Sequence, residues 1–108
     1  MDNRTVGLRV PFAEQADMRV ENLLPGDDAN PFLAMAASLG CGYLGIRQGL
    51  QPDEPLTDSA YYRDYSLPRS LSEVVTLFED NPVAKELFGE KFVQIYSAVK
   101  RTEYEAFF

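Results

Sequence analysis

The chain has 108 residues and a formal net charge of −7, with 45% hydrophobic residues, one cysteine and no histidine. That length fits one domain or a piece of one, and the composition is that of a globular rather than a disordered chain. The acidic balance excludes a phosphate-backbone binder, a lone Cys41 excludes an internal disulfide, and the absence of histidine excludes Ser-His, Cys-His and His-based metal sites.

No signal peptide or membrane span is visible. The longest apolar stretch, residues 32–46, is short and rich in Ala and Gly, so a cytoplasmic protein is expected. Val6, Leu8, Val10 and Phe12 alternate with Gly7, Arg9 and Pro11, the pattern of a strand with one buried face. Pro11 lacks a ladder donor and points to an edge or to the strand's end. After a polar connection, Met18, Val20, Asn22 and Leu24 alternate with Arg19, Glu21 and Leu23. The two runs predict a β-hairpin over about residues 5–24.

Pro25-Gly26-Asp27-Asp28 reads as a turn, and Asn30-Pro31 as a helix start, because Asn caps the first amides and Pro at the first position gives up a donor that has no partner anyway. The helix should run over about 31–49. Its apolar and small residues lie on more than one face, which predicts burial with close neighbours, and Cys41 within it is expected to be a small core residue. Residues 51–69 hold three prolines and three tyrosines in an irregular stretch, with Tyr61, Tyr62 and Tyr65 expected to cover a helix surface. Ser70-Leu71-Ser72-Glu73 is a capping box opening a helix over about 71–79. Asn81-Pro82 starts another over about 82–88, with Gly89 ending it in a left-handed conformation, and a last helix is expected over about 90–108. The fold class is therefore α+β, a hairpin followed by a mostly helical segment. The end on Ala106-Phe107-Phe108, without a polar tail, points to a truncated segment.

The chemistry-bearing side chains are Arg4, Arg9, Arg19 and Glu21. Arg19 and Glu21 are two apart on one strand, so they project from one face about 6.6 Å apart. Guanidinium forks grip phosphate oxygens, and a carboxylate suits a hard divalent cation. The same pattern also fits a solvated hairpin face with ordinary cross-strand ion pairs.

Asn3-Arg4-Thr5, Arg9-Val10-Pro11, Arg19-Val20-Glu21 and Ala29-Asn30-Pro31-Phe32-Leu33-Ala34 follow one another in an order and spacing that resembles the glutamine synthetase family. The likeness covers about residues 3–46. Leu24-Pro25-Gly26 and Cys41-Gly42-Tyr43-Leu44-Gly45 are similar to its bacterial branch, γ-glutamylpolyamine ligases included. The resemblance implies a C-terminal fragment of the catalytic domain of an ATP-dependent carboxylate–amine ligase, a homo-oligomeric ring in full length with active sites between subunits. It implies that glutamate is activated as γ-glutamyl phosphate and joined to ammonia or an amine. By the same resemblance Arg4 would be catalytic, contacting the γ-glutamyl phosphate region. Arg9 and Arg19 would bind ATP phosphates, and Glu21 would ligate Mg²⁺ or Mn²⁺.

Leu23 stands where the family has a second Arg that holds glutamate, which leaves the substrate open. The family's other metal ligands and amine-site residues are absent, so the 108 residues alone are expected to be inactive. The alternatives are a non-catalytic homologue that keeps the fold, or a small helical interaction domain presenting Tyr61, Tyr62 and Tyr65.

Overall fold

A computed structural model describes residues 3–64 and 67–107. Tyr65 and Phe108, named above, lie outside the described residues. The chain divides into two units at residues 64 and 65.

The first unit opens with two very short antiparallel strands, β1 (Leu8–Arg9) and β2 (Glu21–Asn22), in the register Leu8↔Asn22 and Arg9↔Glu21. An additional backbone bond from Leu23 N–H to Gly7 C=O, 2.8 Å, closes the ladder. Pairing is shorter than the alternating pattern predicts. Pro11 offers no N–H, and the connection folds into a 3₁₀ turn at Gln15–Asp17, so Val10 and Val20 leave the ladder. The expected buried face is also uncovered. Leu8, Val10 and Phe12 are exposed, because no second layer of this unit lies over them. Gly7 lets the Leu24 side chain lie close: a Cβ there would come within 2.7 Å of a Leu24 methyl, which would have to move aside.

Helix α1 (Pro31–Arg47) starts where the Asn-Pro pair places it, with Asn30 Oδ1 accepting from the amides of Phe32 and Leu33. It stops at Arg47, two residues before the expected end. Gly49, at φ +65°, makes a Schellman closure in which Gly49 N–H donates to Ile46 C=O and Leu50 N–H to Gly45 C=O. Asn22 ties the hairpin to this helix: its Nδ2 donates to Ser38 Oγ at 3.0 Å, while its Oδ1 accepts from Leu24 N–H. Leu33, Ala34, Ala37, Gly40, Leu44 and Gly45 form the covered side of α1, but only Leu44 is buried. Phe32, Met35, Leu39, Tyr43 and Ile46 form an exposed stripe, and Cys41 is exposed rather than in a core. The helix is apolar all round, as its sequence says, but this unit covers one side of it only. Tyr61 and Tyr62, in a 3₁₀ turn at Ala60–Tyr62, are exposed as well and cover no helix.

The second unit is three helices: α2 (Leu71–Asp80), α3 (Pro82–Phe88) and α4 (Glu90–Phe107), with α4 packed on both others. Ser70 Oγ caps the amide of Glu73, and the Glu73 carboxylate reaches back to Arg69 N–H rather than to Ser70's own amide. Asn81 Oδ1 caps α3, and Gly89 ends it at φ +83°, ψ 150°, a glycine-favoured conformation distinct from the expected left-handed one. Val75, Ala84, Val93 and Ser97 are the buried residues. Phe78, Phe88, Phe92 and Tyr96 form a continuous ring cluster beside them, with centroids 5.3–6.4 Å apart. Arg101 forks onto Glu79 (Nε to Oε1 2.9 Å, Nη2 to Oε2 2.5 Å), joining α4 to α2.

Ser97 is 1% exposed and its Oγ has no hydrogen-bond partner among the described residues. An unmet buried hydroxyl costs about 1–3 kcal/mol. Ser97→Ala, which removes the group and little volume, is therefore expected to raise the thermal unfolding midpoint. Calorimetry on the two chains checks this, and a lowered midpoint would contradict it.

Candidate functional site

Cross-strand pairing sets Arg9 directly opposite Glu21. Arg9 turns its fork onto one carboxylate oxygen. Its Nε donates to Glu21 Oε2 at 2.9 Å, and its Nη2 meets the same oxygen. Arg19, two residues before Glu21, takes the other oxygen, with Nε 3.1 Å and Nη2 3.0 Å from Oε1. Its third nitrogen, Nη1, donates to the backbone carbonyl of Asp17 at 3.2 Å, so the 3₁₀ turn helps aim it. One carboxylate thus carries two guanidiniums, a local net charge of +1 on a chain of net charge −7.

The three groups differ in access. The Arg9 side chain is 16% exposed, Glu21 24% and Arg19 55%. Arg9 is the seated partner and Arg19 the accessible one. The Arg9 hydrogen bonds hold the Glu21 carboxyl below the usual carboxylate range. Partial burial opposes this, and the Arg9 charge and then Arg19 reinforce it. Among the described residues no three Cys, Asp or Glu side chains converge as a metal site would require. The Glu21 carboxylate thus stands without other acidic side chains around it, and a cation held there would need its other donors from outside the described residues.

Arg4 stands apart from this triad. It is exposed, in the turn before β1, and makes no hydrogen bond or ion pair among the described residues. Its two neighbours are heavily engaged. Asn3 Oδ1 accepts from Thr5 N–H at 3.0 Å and from Thr5 Oγ1 at 2.7 Å. Asn3 Nδ2 donates to Asp58 C=O at 2.8 Å and Leu56 C=O at 3.4 Å, and Thr5 Oγ1 accepts from Ala60 N–H at 2.7 Å. In the sequence, Asn3 and Thr5 stand out only as the neighbours of Arg4 in the Asn3-Arg4-Thr5 motif, with no role of their own. An Asn with a Thr two residues on is an Asx-turn signal, but nothing local shows that its second nitrogen reaches a loop more than 50 residues away. Leu23, at the position that departs from the Arg pattern, contributes its backbone amide to the hairpin and leaves its side chain partly exposed.

The Glu21 carboxyl titrates below its unfolded value. Its ion pairs therefore contribute stability above the unfolded carboxylate pKa, and that contribution is lost as pH falls through the lower folded value. In a carbon-13 titration, Arg9→Gln is expected to raise the Glu21 pKa more than Arg19→Gln does. Equal shifts would remove the distinction between a seated and an accessible partner.

The whole chain, residues 1–108, matches the family model described as glutamine synthetase, catalytic domain. It is 41% identical over 98% of its length to the γ-glutamylethanolamide synthetase of Streptomyces coelicolor, covering 23% of that protein. It is 39% identical over 92% of its length to a glutamate–isopropylamine ligase of a Pseudomonas species, covering 22%. To the type-1 glutamine synthetase 2 of Dictyostelium discoideum it is 37% identical over 99% of its length, again covering 22%. The chain thus spans less than a quarter of the length of these relatives. No solved structure matches it. The paired Arg9–Glu21–Arg19 face and the helices that follow it therefore belong to the catalytic domain of the glutamine synthetase family, of which this chain is a member.

Proposed function

We propose that this chain supplies the phosphate-and-metal half-site of an ATP-dependent ligase that makes a γ-glutamyl amide from glutamate and ammonia or an amine. The observation that carries the reading is the Glu21 carboxylate gripped on both oxygens by Arg9 and Arg19, in a chain whose relatives are glutamine synthetases and glutamate–amine ligases by name. Arg9 and Arg19 bind and orient ATP phosphates, and Arg19, the more exposed, is the arm that reaches them first. Arg4 meets the phosphoryl group of γ-glutamyl phosphate. Glu21 fits Mg²⁺ or Mn²⁺ as one hard oxygen ligand, and a bound cation neutralises phosphate charge. The protein's part is positioning and charge stabilisation: fixed guanidiniums hold the transferring phosphoryl group near the γ-carboxylate and stabilise the charge that builds on its oxygens.

Leu23 offers no donor to the glutamate carboxylate, so that half of the substrate is held by other groups. Introducing Leu23→Arg into the ligase and finding glutamate affinity unchanged would show that the position does not contribute. In this reading the uncovered faces of the hairpin and of α1 pack against further parts of the ligase, since the chain spans less than a quarter of its relatives' length. That larger protein is a cytoplasmic homo-oligomer in this reading, with its active sites shared between subunits, and the 108 residues alone turn over nothing. No described helix is long and apolar enough to cross a membrane.

Exchanging residues 1–108 for the matching region of the Streptomyces synthetase tests the half-site. The chimera is expected to form γ-glutamyl amide only with ATP and a divalent cation. Glu21→Gln and Arg19→Gln should each lower kcat by about 100-fold, the scale of losing one charge-stabilising group at a transition state. Turnover indifferent to both substitutions would sink the assignment.

A further inference from the structure

The described residues place a second set of interlocked groups around Arg4, and it has no counterpart in the Arg9–Glu21–Arg19 face. Asn3 and Thr5 together make five hydrogen bonds, three of them across the gap to the Leu56–Ala60 loop. Thr5 Oγ1 is used twice, donating to Asn3 Oδ1 and accepting from Ala60 N–H, so its hydroxyl rotor has one setting. Asn3 is likewise committed at both ends of its amide. The loop's own acid, Asp58, has an oxygen occupied by Arg63 at 3.0 Å. Between these two saturated residues sits Arg4, a guanidinium with no partner among the described residues.

We infer that Asn3 and Thr5 are positioning residues. They clamp the Leu56–Tyr62 loop beside Arg4, so that the Arg4 backbone is rigid and the loop forms a wall of the anion site at which Arg4 takes a phosphoryl oxyanion. The inference rests on the role given to Arg4 above. Three physical points support it. A guanidinium carried on a fixed backbone loses less conformational freedom when it binds than one on a loose turn. A loop tied by charge-free hydrogen bonds adds no anion to compete for Arg4, and its one paired acid is already neutralised by Arg63. The clamp also brings exposed Tyr61 and Tyr62 to the rim, since Ala60 N–H is its last contact and they follow directly.

The test uses the 108-residue chain and three variants. Thr5→Val keeps the side-chain shape and removes the hydroxyl. Thr5→Ser restores the hydroxyl. Asn3→Ala removes the donors to Leu56 and Asp58 without adding a charge beside Arg4. Two readouts are taken: amide hydrogen exchange at Ala60, and the nitrogen-15 signal of the Arg4 guanidinium during titration with inorganic phosphate. Thr5→Val and Asn3→Ala are expected to weaken phosphate binding at Arg4 by about tenfold, the equivalent of one net hydrogen bond. Thr5→Val should also speed Ala60 exchange, and Thr5→Ser should behave as the parent chain. Unchanged Ala60 exchange in Thr5→Val would show that no clamp exists. Faster exchange with unchanged phosphate affinity would make the clamp structural only and overturn the positioning role. If the parent Arg4 ignores phosphate while Arg9 and Arg19 respond to Mg·ATP, this inference fails and the proposed half-site stands. The reverse pattern sinks the half-site and keeps the clamp.

Discussion

The Glu21 carboxylate organises the hairpin. Two strands of two residues each have little ladder to hold them, yet Arg9 comes from one strand, Arg19 from the approach to the other, and both close on the same acid. Opposite charge across a non-covalent pair normally counts for little at a surface, because water screens it and long side chains lose freedom. Here the geometry offsets that. Each guanidinium uses two nitrogens on one oxygen, and Arg9 is largely shielded from solvent. The same closure that fixes the hairpin leaves a net positive face with one carboxylate, the charge pattern that phosphate and a hard cation together require. In the proposed half-site, structural and chemical roles thus fall on the same three side chains.

The two faces of the first unit are unequal in what they bury. Polar groups are tightly matched: Asn22 to Ser38 and Leu24, Asn30 to the start of α1, Asn3 and Thr5 to the Leu56–Ala60 loop. Apolar groups are not. Phe32, Met35, Leu39 and Ile46 run along α1 in solvent, as do Val10 and Phe12 beside the hairpin. A stripe of this kind marks an interaction face rather than a finished surface. The second unit differs: its ring cluster and the Arg101–Glu79 fork give it a small core of its own.

Local chemistry made much of the fold and the candidate site legible in advance. Caps are decided by a few neighbouring residues, so Asn30-Pro31, Ser70 and Asn81-Pro82 announced three helix starts, and the two alternating runs announced a hairpin. The motif order and the pairing of Arg and Glu types on one hairpin face were readable for the same reason: strand periodicity puts alternate residues on one side. Burial was not readable. Cys41 and Leu8 looked like covered residues, and Tyr61 and Tyr62 like cover for a helix, because apolar character says what a residue prefers, and the described residues do not supply the contacts.

What the sequence by itself determined is the family, the helix starts set by side-chain caps, and the identity of the charged groups. What only the tertiary structure decided is how those groups share partners. It seated Arg9 and left Arg19 accessible, gave both oxygens of Glu21 to arginines, and left Arg4 without a partner among the described residues, between two hydrogen-bonded neighbours. The physical reason is range. A cap or a turn is settled within four residues, whereas the bonds from Asn3 to Asp58 and from Thr5 to Ala60 each span 55 residues of chain. No local pattern encodes a contact that exists only once the chain has folded back.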